Sequence, residues 1–128
     1  MFLQSACLVC ALVVAQAETI FTVEYDGKKY EFSISDADLQ KTPAWPPNQD
    51  NPPLSPRRAI DIASTYLATL LPNGKDWRLD RVSLKPIENR WIYLVEFLEP
   101  LRGDLQGQQT SSGFQIVVLM NGTAVASK

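Results

Sequence analysis

Histidine is missing from this sequence of 128 residues, and cysteine occurs only twice, at Cys7 and Cys10. Both cysteines belong to the N-terminal stretch 1–17, so the remaining stretch 18–128 contains neither type. For that part of the chain, this excludes a disulfide framework, a thiolate nucleophile, a zinc site of Cys/His type and a histidine general base. A glycine-rich phosphate loop is also missing. The sequence therefore names no reaction.

The sequence also has little excess charge of either sign, since 12 basic and 14 acidic residues leave a net charge of −2. This balance argues against a chain that coats nucleic acid. In residues 18–128 about 40% of the residues are apolar, which is typical of one small globular domain. A core of this size can form without covalent links.

The N-terminal stretch 1–17 is almost entirely apolar and carries no charged side chain. Ala15-Gln16-Ala17 gives the small-x-small pattern of a signal-peptidase site, so we expect cleavage between Ala17 and Glu18. An uncleaved membrane anchor is the alternative, although a stretch of this length is at the lower limit for a span. The leader predicts a secreted or periplasmic protein.

Two alternating apolar runs surround Asp26-Gly27 in the stretch 19–34. Both central positions of a type I′ turn need a positive φ, which glycine accepts and aspartate tolerates. A two-residue loop would place Val23 opposite Tyr30 and Phe21 opposite Phe32, with one face apolar. We expect an N-terminal β-hairpin and a short helical turn within residues 18–40.

Residues 41–54 form a proline-rich arm, since six of the nine prolines lie between Pro43 and Pro56. Such a composition supports neither a helix nor a strand ladder. Trp45 lies within it, and two interpretations are open. It either docks on a partner or tucks under its own sheet, and the solubility cost of an exposed tryptophan favours the second.

The best helical pattern covers residues 55–71. Ser55 is a capping residue, Pro56 suits the first helical position, and apolar residues then recur at three- and four-residue spacing. Strand candidates follow at 77–85, 90–98, 113–120 and 123–127. We expect the second to be a central strand and the first to have a bulge or an edge near Asp80 and Arg81. Asn121-Gly122 predicts a tight turn before the last segment.

These elements predict an α+β fold in which one amphipathic helix packs on an antiparallel sheet, preceded by the N-terminal hairpin. Residues 55–128 supply the helix and the sheet and form a single domain with residues 18–40. A long loop rich in Gly, Gln and Ser, residues 101–112, joins two of the strands. Loops of this length commonly carry function.

The helix LSPRRAIDIASTYLATLL, the strand RWIYLVEFLEP and the closing segment GFQIVVLMNGTAV follow one another in an order that resembles PepSY-type modules. The resemblance covers residues 54–128. It implies a secreted or membrane-attached, non-catalytic domain that binds peptides or peptidases, often as an inhibitor or regulator. It implies no catalytic residue for this chain.

Several charged and polar residues are candidates for chemistry. Asp36 and Asp38 lack the further ligands and the glycine of a calcium loop, so solvated turn residues are expected. Glu96 lies on an otherwise apolar strand, and we expect it to pair with Arg78 or Arg81. Asn121-Gly122-Thr123 matches the acceptor pattern for N-glycosylation, but a tight turn explains Asn-Gly fully and is the favoured interpretation.

Five basic residues lie between Lys75 and Arg90, next to Trp77 and Trp91. Basic and aromatic residues in alternation can bind a nucleic-acid strand. Here the net charge is negative and the aromatic residues are needed for the core. We therefore expect a solvated outer face of the sheet and no nucleic-acid partner, and binding of an acidic partner or surface is the alternative.

The sequence favours non-covalent binding of a protein or peptide, with no cofactor, metal or catalytic residue and no stable membrane insertion after cleavage. The candidate contact residues are in the proline arm and the long loop, namely Trp45, Leu101, Arg102, Asp104 and Gln108. One alternative is a carrier with an apolar cavity lined by Tyr66, Tyr93 and Phe97. The second alternative is an enzyme that uses carboxylates only, which would need two acidic side chains in one cleft.

Overall fold

A computed structural model of the chain describes residues 18–100 and 112–128. The predicted cleavage site at Ala17 and four predicted contact residues lie outside these ranges; the four are Leu101, Arg102, Asp104 and Gln108. The described elements are β1 Glu18–Tyr25, β2 Lys28–Ser35, α1 Asp36–Gln40, α2 Pro56–Leu70, β3 Arg78–Ile87, β4 Arg90–Leu98 and β5 Gly113–Leu119.

The fold is α+β, with a two-stranded antiparallel sheet, β1-β2, and a three-stranded antiparallel sheet in the order β3-β4-β5. The N-terminal hairpin is confirmed with its predicted register, since Val23 lies opposite Tyr30 and Phe21 opposite Phe32. Asp26 and Gly27 have φ values of 53° and 73°, as a type I′ turn requires.

Helix α2 packs on β4 and β5, and its fully buried side chains form a narrow stripe of two alanines and one leucine. Ala59, Ala63 and Leu67 are completely buried, and the two alanines allow the helix to approach the sheet closely. At its start the Ser55 hydroxyl accepts a hydrogen bond from the Arg58 amide at 3.2 Å, and Pro56 occupies the first helical position. The predicted helix of 55–71 is thus confirmed, with Ser55 and Leu71 as its caps.

Strand β4 is central in its sheet, as its apolar pattern predicted. Ile92, Tyr93 and Val95 have no exposed surface. The register between β3 and β4 shifts between Leu79 and Arg81, which confirms the bulge expected there.

The segment 123–127 returns along β5 after the turn at Asn121-Gly122, but it forms isolated bridges instead of a continuous strand. Ala124 bridges Val118 in β5, and Ser127 bridges Phe32 in β2. The tail therefore lies between the two sheets and links them by main-chain hydrogen bonds. Prediction from the sequence found the turn but not the second attachment.

The hairpin is also joined to the larger sheet by aromatic side chains around Phe114. The Phe114 ring centroid lies 5.1 Å from that of Tyr30, 6.1 Å from Phe32, 6.2 Å from Trp77 and 6.5 Å from Tyr25. All four contacts are edge-to-face, the arrangement that aromatic quadrupoles favour. Within the described ranges, no helix has the length and apolar character needed to cross a bilayer.

Candidate functional site

The proline-rich arm is attached to strand β4 at both of its ends. Before the arm, the Arg90 guanidinium donates through Nε to the carbonyl of Thr42 at 3.1 Å. After it, the Tyr93 hydroxyl donates to the carbonyl of Leu54 at 2.6 Å. Thr42 and Leu54 are both buried. Residues 43–53 therefore form a loop with two anchored ends, and not a free linker.

The first anchor is itself held by short-range contacts from α1. The Thr42 hydroxyl donates to the carbonyl of Leu39 at 2.6 Å, and Leu39 is buried in the core. Close by, the Gln40 side chain donates to Asn89 Oδ1 at 3.1 Å. The start of the arm is thus attached to β4 through Arg90, and Gln40 just before it is attached to Asn89 in the connection between β3 and β4.

Inside the arm, Trp45 is oriented by a tight turn. The Gln49 amide donates to the carbonyl of Pro46 at 3.0 Å, which closes a turn with Pro47 at its second position. Proline fixes φ at the value that this position needs. The indole N–H of Trp45 then donates to the carbonyl of Gln49 at 2.7 Å. The side chain is therefore pre-organised by its own loop.

The Trp45 ring packs edge-to-face on Trp91 at the beginning of β4, with ring centroids 5.2 Å apart and an interplanar angle of 67°. Both residues are half-buried. Together with Pro46, Pro47 and Gln49 they line a groove of about 270 Å³, which we call the tryptophan groove. Trp45 lies against its own sheet, yet one side of the aromatic pair stays open to solvent.

Sequence reasoning selected Trp45 but placed Trp91 in the core. The pairing could not be read from the chain, because the two residues are distant in sequence. One signal was present: Trp91 lies next to the end of a strand, where one side of a side chain often remains uncovered. The structure thus adds Trp91 to the site.

A second open region, a cleft of about 460 Å³, lies where β4 ends. Three carboxylates border this polar cleft, contributed by Glu24 of β1, Asp80 at the β3 bulge and Glu96 of β4. Glu96 Oε2 lies 3.6 Å from Nε of Arg81, which confirms one of the two ion pairs expected for Glu96. The Arg81 side chain is 68% exposed, so this pair is screened by solvent.

The two attachment points of the predicted long loop lie beside this polar cleft. Leu98 and Gly113, the last pair of β4 and β5, both border it. The Glu99 amide donates to the carbonyl of Ser112 at 2.9 Å and extends the pairing by one step. Tyr25 Oη lies 2.7 Å from Glu99 Oε1 and ties β1 to the same place.

The two regions are far apart. Trp91 lies at one end of β4 and Leu98 at the other, and seven residues of an extended strand span about 23 Å. The arm and the base of the long loop therefore form two separate surfaces.

The other predicted candidates have local explanations. Asp36 and Asp38 lie in the first turn of α1, where the Ser35 hydroxyl accepts from the Asp38 amide at 3.1 Å. Asn121 Oδ1 accepts from the Thr123 amide at 3.2 Å, and Gly122 has a φ of 84°. The turn thus uses both residues of the Asn-Gly pair.

Basic side chains of β3 lie mainly in solvent, as expected for an outer face. Arg78, Arg81 and Lys85 are exposed. The Lys85 ammonium lies 5.4 Å from the centroid of the Phe21 ring. Among the described residues, no three His, Cys, Asp or Glu side chains are grouped so that they could hold a metal ion.

The three residues expected to line a carrier cavity have different surroundings. Tyr93 and Phe97 are buried in the packed core. Tyr66 is half-buried on α2, where its hydroxyl oxygen accepts from the Ser127 amide at 2.8 Å. Burial raises the pKa of Tyr93 above its ordinary value of 10.0, so the hydroxyl that donates to Leu54 keeps its proton to a higher pH than an exposed tyrosine does.

Comparison with protein-family models, with curated proteins and with solved structures gave no match. The functional argument therefore depends on the geometry of this chain.

Proposed function

We propose that this chain is a non-catalytic binding module for a protein or peptide partner, secreted or periplasmic as its leader predicts. The observation that carries the proposal is the tryptophan groove. It combines two half-buried indole rings with a loop that is anchored at both ends.

Pre-organisation is the physical reason why this groove suits binding. Association costs free energy whenever loops and side chains become ordered, and a surface that is already ordered avoids much of that cost. Trp45 is held by its bond to Gln49 and by its contact with Trp91 before any partner arrives. Tryptophan is also one of the residue types enriched among the few residues that dominate the binding energy of protein interfaces.

The second contact region in the proposal is the 101–112 loop, with Leu101, Arg102, Asp104 and Gln108. This part of the proposal is supported by the position of the two strand ends that the loop joins, since Leu98 and Gly113 border the polar cleft. An inhibitory or regulatory action on a peptidase, as the PepSY-like resemblance implies, is the specific form of partner binding that we propose.

A carboxylate enzyme is the second candidate function, because Glu24, Asp80 and Glu96 border one cleft. Two features favour binding over catalysis. The Glu24 and Asp80 side chains are exposed, and Glu96 is engaged by Arg81. A carboxyl group that works as a general acid usually needs burial to raise its pKa.

The test is a pull-down from the native extracytoplasmic fraction with residues 18–128, followed by an affinity measurement on the recovered partner. Trp45→Ala should weaken binding at least about tenfold, equivalent to ~1.4 kcal/mol. Thr69→Ala, on the exposed side of α2, is the matched control and should leave the affinity unchanged. Equal affinities for all three proteins would reject the groove as the contact surface. A co-purifying small molecule and no partner would favour the carrier.

A further inference from the structure

Strand β3 is an edge strand. Among the described residues it pairs with β4 on one side only. A free strand edge offers unpaired N–H and C=O groups, and an extended segment can add to it as a further strand. Which groups β3 offers follows from the hydrogen-bond phase of its neighbour, β4.

A hydrogen bond at the end of β4 shows which of its main-chain groups face β5 and which face β3. Glu99, which directly follows β4, donates its amide to the carbonyl of Ser112, which directly precedes β5. The main-chain N–H and C=O of this odd-numbered residue therefore point toward β5. The register between β4 and β5 is continuous from Ile92 to Leu98, and strand amides alternate in direction. Even-numbered residues of β4 therefore bond to β3, among them Ile92 and Leu94.

The partners of these even-numbered residues are Lys85, opposite Ile92, and Ser83, opposite Leu94. Lys85 and Ser83 thus direct their main-chain groups toward β4. Val82 and Leu84, which alternate with them, direct theirs outward. The backbone nitrogen of Pro86 also lies on the outward side. Because proline has no N–H to donate, this is the side of an edge strand on which it is tolerated.

The side chains of this edge differ between the two faces. Arg81 and Lys85 project from the face shared with Ile92, and both are exposed. On the other face Leu84 is 36% exposed, and Leu79 beyond the bulge is 46% exposed. Glu96 of β4 lies on the same face as these two cations and pairs with Arg81. The three charged side chains leave one net positive charge on this face, and the opposite face of the edge is apolar.

We propose that the β3 edge, residues 81–85, binds an extended acidic segment of another protein by strand addition. Acidic side chains of the segment lie beside Arg81 and Lys85, and apolar side chains alternate with them beside Leu84. The bulge at Asp80 limits the paired stretch at one end, and Pro86 limits it at the other. This surface is separate from the tryptophan groove, so either proposal can fail without the other.

Charge complementarity decides between an acidic partner and a second copy of the chain. Antiparallel pairing of two β3 edges would bring cationic side chains of two copies together, which is destabilising. The same cations attract carboxylates of an acidic strand. The edge therefore resists self-association while it accepts a segment of opposite charge.

The experiment measures binding of a synthetic peptide in which glutamate and valine alternate, by calorimetry on residues 18–128. We expect binding that weakens with added salt, together with slower hydrogen exchange at the amides of Val82 and Leu84. A lysine–valine peptide should bind at least about tenfold more weakly. Equal binding of the two peptides, or unchanged exchange at both amides, would overturn the proposal.

Two variants at one position separate main-chain pairing from side-chain contact. Leu84→Pro removes the outward N–H and the leucine side chain and should weaken binding at least about tenfold, while Leu84→Ala removes the side chain but keeps that N–H and should weaken binding far less. Circular dichroism checks that both variants are folded. Lys85→Glu provides a second route that needs no proline, and it should shift the preference toward the lysine–valine peptide. Trp45→Ala should bind like the wild type.

Discussion

The Tyr93 hydroxyl and the Leu54 carbonyl form a hydrogen bond of 2.6 Å between two buried residues. Tyr93 lies in the middle of the central strand, and Leu54 directly precedes the N-cap of α2. One bond therefore fixes the end of the proline arm and the start of the main helix to the same strand. Its loss should affect both.

We expect Tyr93→Phe to lower the free energy of unfolding by about 1–2 kcal/mol, because the buried carbonyl of Leu54 loses its partner. Urea denaturation followed by circular dichroism measures this change. Tyr66→Phe is the matched control, since its hydroxyl contacts the Ser127 amide at a half-buried position and water can replace it. An equal decrease in the free energy of unfolding of both variants would show that the Tyr93–Leu54 hydrogen bond contributes no more than the Tyr66–Ser127 hydrogen bond.

The same hydroxyl predicts how stability depends on pH. Burial raises the pKa of Tyr93 in the folded state above 10.0, so the folded protein holds this proton more tightly than the unfolded chain. The associated stability is fully present below pH 10.0 and is lost as the pH rises through the folded-state pKa. Denaturation at several alkaline pH values should show a smaller decline for Tyr93→Phe than for the wild type. Identical slopes would contradict the assignment.

Features of this fold that depend on neighbouring residues were predictable from the sequence. Asp26-Gly27 determines the turn and the register of the hairpin, because a two-residue loop leaves only one pairing. Ser55-Pro56 determines where α2 begins. In both cases the physical cause lies within a few residues of the feature.

The candidate site was less predictable, because its parts are joined by distant contacts. Arg90 is 48 residues from Thr42, and Tyr93 is 39 residues from Leu54. A proline-rich composition specifies an extended arm but not the strand to which it is attached. The tryptophan groove could therefore be recognised only in part, through Trp45.

A strained turn residue offers a route to higher stability. Glu88 has a φ of 53° in the connection between β3 and β4, a conformation that costs residues other than glycine, asparagine and aspartate about 1–2 kcal/mol. We expect Glu88→Gly to raise the free energy of unfolding by about 0.5–1 kcal/mol after the entropy cost of glycine. Thermal unfolding should show a higher midpoint.

Asp26 is the internal comparison for this prediction, because it has the same φ of 53° in the other two-residue turn. Aspartate tolerates the left-handed region better than glutamate does. Asp26→Gly should therefore stabilise the protein less than Glu88→Gly does. A larger gain at Asp26 would mean that strain at Glu88 is relieved by its surroundings.

Gly74 marks the place where the main chain passes closest to the end of α2. A Cβ atom at this position would clash with the carbonyl oxygen of Leu67 and lie 2.6 Å from its carbonyl carbon. Because these main-chain atoms belong to the last turn of α2, where the Leu67 carbonyl accepts from the Leu71 amide at 3.0 Å, they cannot easily move aside, and Gly74→Ala should cost about 2–3 kcal/mol. At Gly113 a Cβ would lie 3.7 Å from the carbonyl oxygen of Phe97, an ordinary contact, so Gly113→Ala should change stability little. The denaturant midpoints of the two variants measure this difference in stability. Similar midpoints would show that the main chain at the end of α2 shifts to accommodate the added Cβ.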